Sequence, residues 1–256
     1  AVSLALVGGL VAAIFGPEIS YRLIGAVDGA LYAGCFIGAA LVQCLALPVL
    51  LGMPKLAVEI REKQGRPISA FLRLPAFRLA LCSAALGYAV MSFLMTAVPL
   101  QIVNVSLLGE ALNARVIQWH VIAMFAPSFF TGSLITRFGI RAIMTAGLVL
   151  YLAGIIVALS GLQFWYYFAT LFFVGLGWNF LYIAGTSLVT LVTEPEERGR
   201  IQGITDMTVF TAVACASLSA GIIHTIGGWH IMALAALLPI SIIGVTIAMT
   251  SKPSLP

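Results

Sequence analysis

Two long intervals of this chain carry almost no charge. Residues 142–193 contain no Asp, Glu, Lys or Arg, and residues 201–251 contain only Asp206. A water-soluble fold must present a polar exterior, and an ordinary soluble domain spends about 25% of its residues on charge. Here charged residues make up 9% of the sequence and hydrophobic residues 61%. The exterior of such a chain has to meet lipid. A hydrocarbon core of about 30 Å takes about 20 apolar residues as helix. Away from water each backbone group must bond within its own segment or across a closed barrel, and the alternation that a barrel needs is missing, so the runs are helices. The expectation is an all-α polytopic membrane protein whose main partner is the lipid bilayer.

About eight apolar segments can be marked, over residues 1–20, 30–51, 79–103, 116–136, 142–159, 164–189, 203–224 and 229–249. Numbering them as successive crossings places eleven of the 13 Lys and Arg residues on one side and leaves Arg22 and Arg115 on the other. Basic loops stay in the cytoplasm. The first helix therefore runs outward and the C-terminus is cytoplasmic. The basic residues sit in short loops, so the net charge of +4 reads as a topology signal and not as a nucleic-acid surface. Residues 53–78 are the longest polar stretch. Within it Ile68, Phe71, Leu72 and Leu74 have helical spacing and suit a short helix on the inner membrane surface. Ala1 opens inside an apolar run with no charged leader before it, which reads as a chain whose upstream part lies outside this sequence.

Three places resemble the major facilitator superfamily, the twelve-helix secondary transporters. Gly132-Ser133-Leu134-Ile135-Thr136-Arg137-Phe138-Gly139-Ile140-Arg141 is similar to the family's short cytoplasmic signature, with Thr136 and Ile140 where an acid and a base are usual. Gly8, Gly9, Gly16 and Pro17 resemble its Gly-Pro motif of helix five, and Glu196-Glu197-Arg198-Gly199-Arg200-Ile201-Gln202-Gly203 its approach to helix eleven. The resemblance implies a helical bundle of the major-facilitator type matching helices five to twelve. Residues 1–52 would be the last two helices of the N-terminal half, 53–78 the cytoplasmic linker between halves, and 79–256 the six-helix C-terminal half. It also implies a permease of a bacterial inner membrane, monomeric as a full-length carrier. Gly132, Arg137, Gly139 and Arg141 would form its conformational loop.

Enzyme signatures are missing: His120, His224 and His230 form no H-E-x-x-H, and neither G-x-S-x-G nor a Walker A sequence occurs. Cys35, Cys44, Cys82 and Cys215 lie in apolar runs without metal spacing. No cofactor and no metal are expected. A transporter needs instead a polar cavity near the bilayer midplane. Trp178, Asn179 and Tyr182 are candidates to line it, between Gly175 and Gly177 on one side and the rest of the sixth segment on the other; helix packing is the alternative for them. Tyr88, Ser92 and Thr96 recur every four residues and so share a face. Gln101 and Asn104 read as solvated residues near the outer end. Glu18, Asp206 and His120 are the proton-coupling candidates, because an intramembrane ionisable group is costly unless it is used. The expected function is secondary transport of a small organic solute by alternating access, with a proton gradient as a candidate driving force. The rivals are a lipid-modifying intramembrane enzyme and a non-transporting remnant.

Overall fold

The structure, a computed structural model, describes residues 2–52 and 65–250. The first group of helices is α1 (Val2–Leu23), α2 (Ala33–Cys44) and α3 (Ala46–Leu51). A short α4 (Ile68–Arg73) supplies the helix expected in the polar stretch, with Phe71 fully buried under it. Residues 53–64 of that stretch lie outside the described residues. Then come α5 (Pro75–Pro99), α6 (Glu110–Phe125), α7 (Ser128–Phe138), α8 (Ile140–Ser160), α9 (Phe164–Val192), α10 (Arg198–Ala235) and α11 (Leu237–Met249). Among the described residues five stretches are long and apolar enough to cross a membrane, and the bent pair α6–α7 makes a sixth.

One of those stretches, Arg198–Met249, has 52 residues. As a straight helix it would reach about 78 Å at 1.5 Å per residue, far beyond one bilayer core. Gly228 resolves this with φ +65° and ψ −171°, a conformation that breaks the helix and that a residue without Cβ adopts at little cost. The chain doubles back there. Trp229 Nε1 donates to Ala158 O near the end of α8, and nineteen residues on, Ala248 O accepts from Arg141 at its start. Ala216 and Ala236 flank one cavity beside Ala89 and Phe93 of α5, so both limbs pass the same level.

The core is α9 surrounded by α5, α6 and α8. Glycines set how closely these approach. A Cβ on Gly177 would lie 2.9 Å from Gly147 O and 2.5 Å from the Tyr151 ring, so α8 and α9 touch backbone to backbone. Small residues at such crossings gain dispersion contacts that lipid cannot replace. Tyr151 and Tyr167 are wholly buried in this core. One end of the bundle collects the basic residues, since the α4–α5 turn, the α7–α8 loop, the α9–α10 loop and the end of α11 meet there. The other end holds Leu23, Val105, Glu110 and Ser160. The helix expected over 116–136 differs in shape: it starts at Glu110 and bends by 42° between α6 and α7. Pro127 has no N–H to continue the ladder, so the helix must turn there.

Candidate functional site

Trp178 and Tyr182 are four residues apart on α9 and therefore share a face. Their rings stack with centroids 5.1 Å apart and planes 9° from parallel. Tyr88 of α5 stands edge-on to both, at 5.1 Å from Trp178 and 5.4 Å from Tyr182. Phe125 of α6 closes one side of Trp178 at 6.0 Å. Phe210 of α10 leans on Tyr88 at 6.1 Å and is 56% exposed, so the cluster is open on that side. Trp178 forms the floor, 5% exposed, and its indole Nε1–H has no partner among the described residues. An unpaired buried donor costs about 1–3 kcal/mol, which singles this group out. Asp206 of α10 lies one turn before Phe210 and so shares its helix face. Three helices thus present stacking faces, an unused donor and a carboxylate in one place.

The other sequence candidates separate from this cluster. Asn179, expected to line a cavity, is fully buried and its amide is spent on the α6–α7 bend. Its Nδ2 donates to Met124 O and to Ser128 Oγ, each at 2.6 Å, and its Oδ1 accepts from Thr131 Oγ1 at 2.6 Å. The Pro127 break leaves Met124 O without a helical partner, and Asn179 supplies one. Ser92 Oγ pairs with Ser217 Oγ at 2.8 Å, clamping α5 to α10, while Thr96 is half-buried one turn further on. Glu18 is no buried carboxylate: it pairs with Arg22 at 2.8 Å on an exposed helix face. His120 is a core residue. It is fully enclosed, with Nδ1 2.7 Å from Leu171 O and the ring seated against Gly175. Asp206, half-buried, is the one proton-coupling candidate placed beside the aromatic cluster.

At the basic end Gly139, with φ +85°, separates α7 from α8, and a residue with Cβ would be strained there. Gly132 has open space about it. Arg137 lies over the Phe138 ring at 5.2 Å, and Arg141 reaches Ala248 O at 3.5 Å. A stronger junction was not legible in the sequence. Arg66 donates from its backbone N at 2.7 Å and from its guanidinium at 2.8 Å to the Glu197 carboxylate, and also to Val192 O. Arg200 donates to Arg66 O. The Arg66 guanidinium holds the Glu197 carboxyl at about 2, against an ordinary 4.5. This fastens the segment before α4 to the α9–α10 loop.

Gln101 is also placed differently from expectation. It is 2% exposed. Its Nε2 donates to Tyr167 Oη at 3.1 Å and Ser106 Oγ at 3.3 Å, and its Oε1 lies 2.9 Å from His224 Nε2. A single sequence shows distance along one helix but not which neighbour covers it, so a polar residue near a helix end looks solvated. Among the described residues no group of three or more His, Cys, Asp or Glu could hold a metal ion.

Residues 81–255 match the family model of the Major Facilitator Superfamily. The chain belongs to the major facilitator superfamily. It is 44% identical over 236 residues, 90% of its length, to the riboflavin transporter RfnT of Brucella anthropi, and spans 58% of that protein. It is also similar to two uncharacterized MFS-type transporters of Bacillus subtilis, YdeG at 36% over 42% of the chain and 26% of that protein, and YddS at 29% over 63% of the chain and 38% of that protein. The long apolar helices and the family together make this an integral membrane protein of major-facilitator type.

Proposed function

We propose that this protein is a secondary active transporter that moves a small organic solute by alternating access, and that riboflavin is its first candidate solute. The observation that carries the reading is the Tyr88–Trp178–Tyr182 cluster with its unpartnered indole N–H, in a chain 44% identical to a riboflavin transporter. A planar ring system gains about 0.5–1.5 kcal/mol per well-oriented aromatic contact. A carbonyl at its rim would satisfy the Trp178 donor that the protein leaves open. Asp206 is the group we assign to proton coupling, since it is half-buried and one turn from Phe210 on the same face of α10. Residues 1–52, 53–78 and 79–256 are read as the end of one half-bundle, the linker, and the other half-bundle. The basic end faces the cytoplasm, in a bacterial inner membrane, and the working unit is a monomer. Uptake of labelled riboflavin into vesicles carrying the protein tests this. Saturable uptake that an uncoupler abolishes is expected; uptake no greater than in empty vesicles would overturn the choice of solute.

A further inference from the structure

Several irregularities meet at the end of the bundle opposite the basic one. Past Pro99, α5 continues as a π-helical turn, Leu100–Val105. Such turns are rare and concentrate at functional sites. Leu107, at φ +52°, is the one non-glycine residue with positive φ among the described residues. Gly109, at φ +86°, precedes α6. Within the first turn of α6, Asn113 Oδ1 is buried and has no partner. Natural chains break local rules together where a site requires it.

A cavity of about 580 Å³ lies at this junction, between α1 and α2 on one side and the π-helical turn and α6 on the other. A second cavity of about 320 Å³ adjoins it, sharing Ser20, Ile24, Glu110 and Asn113. The larger volume falls in the range of small-molecule pockets, about 300–1,000 Å³. Its body is apolar, with Phe36, Leu100 and Val103. Its polar lining is Ser20, Tyr32, Asn104, Glu110 and Asn113, and two of these hold acceptor oxygens with capacity to spare. Among the described residues Glu110 takes one side-chain hydrogen bond, from Tyr32 Oη to Oε1 at 2.9 Å, and none falls on its other oxygen. Asn113 Oδ1 takes none. Three residues apart on one helix, these two acceptors face the same way, about 5–6 Å apart at Cβ. That spacing suits hydroxyls along a short carbon chain.

We infer that this cavity is a loading site for a solute with an apolar body and a hydroxyl-bearing chain, the hydroxyls donating to Asn113 Oδ1 and Glu110. It is separate from the aromatic cluster, and it rests on the transporter reading in taking the transported solute as its ligand.

Cys35 lies in the cavity wall and reports occupancy. In protein carrying Cys44→Ser, Cys82→Ala and Cys215→Ser, reconstituted in vesicles, the rate of Cys35 modification by a small maleimide is followed by mass. Riboflavin should slow it saturably. Lumiflavin, the same ring with a methyl in place of the polyol chain, should protect at least ten-fold less well. Asn113→Ala should raise the protecting riboflavin concentration about ten-fold. If Cys35 reacts too slowly, Asn104→Cys in a Cys35→Ser background gives an exposed reporter in the same wall. No protection, equal protection by lumiflavin, or unchanged protection in Asn113→Ala would overturn the site. Riboflavin uptake measured in the same vesicles separates the two claims. Uptake without protection removes this site and leaves the transporter reading. Protection without uptake keeps the site and removes riboflavin transport.

Discussion

Replacing Asn179 by Ala tests whether the α6–α7 bend is held from α9. The side chain makes three hydrogen bonds, to Met124 O, Ser128 Oγ and Thr131 Oγ1. Each such bond between membrane helices is worth roughly 0.6–1 kcal/mol net, so the loss should be about 2–3 kcal/mol. Thr131 Oγ1 keeps its bond to Pro127 O. Met124 O has no such reserve, because the Pro127 break removes the helical donor. For a chain of this size each kcal/mol moves the midpoint by about 2–4 °C, and thermal unfolding in detergent should fall by roughly 5–10 °C. Thr131→Ala should cost less, and the double variant should lose less than the sum of the two. An unchanged midpoint with selective loss of solute binding would refute this and return Asn179 to the solute site.

Glu197→Gln should lower the melting temperature at neutral pH. The native carboxyl titrates at about 2 against an ordinary 4.5, so its contribution is complete above about 4.5 and fades as the pH falls towards 2; the gap between wild type and variant in melts across that range should close accordingly. Gly177→Ala should destabilise by about 1–3 kcal/mol, since the new methyl falls 2.5 Å from the Tyr151 ring and 2.9 Å from Gly147 O; a melt within 1 °C of wild type, roughly the resolution of the measurement, would contradict that packing. Gln101→Leu should loosen the ends of α5, α9 and α10 together, read as faster amide exchange around both Tyr167 and His224; exchange confined to α5 would deny the shared network.

The long apolar helices were legible because charge and apolar length leave a membrane segment few alternatives, and the charge clumps at residues 66–78, 137–141 and 194–200 fall at one end of the bundle. The bend at Pro127 was not, because the apolar run continues through it. Trp178, Tyr182 and Tyr88 could be grouped from their spacing on two helices, whereas Phe210 and Phe125 join them only through the packing of α10 and α6. Asn179 and His120 were misplaced for one reason. Helical periodicity puts residues on faces, but only the neighbouring helix decides whether a face opens to a cavity or closes on a bend. Arg66 and Glu197 are far apart in sequence, and nothing in either segment announces the partner.

Equilibrium binding of riboflavin to the purified protein, read from the quenching of flavin fluorescence on stacking, tests the central claim most directly. Saturable quenching is predicted for the wild type. It should be at least ten-fold weaker in Trp178→Ala and Tyr88→Ala and unchanged in Trp165→Ala, whose ring is 70% exposed and away from the cluster. Quenching of equal affinity in all four proteins, or in none, would contradict the account.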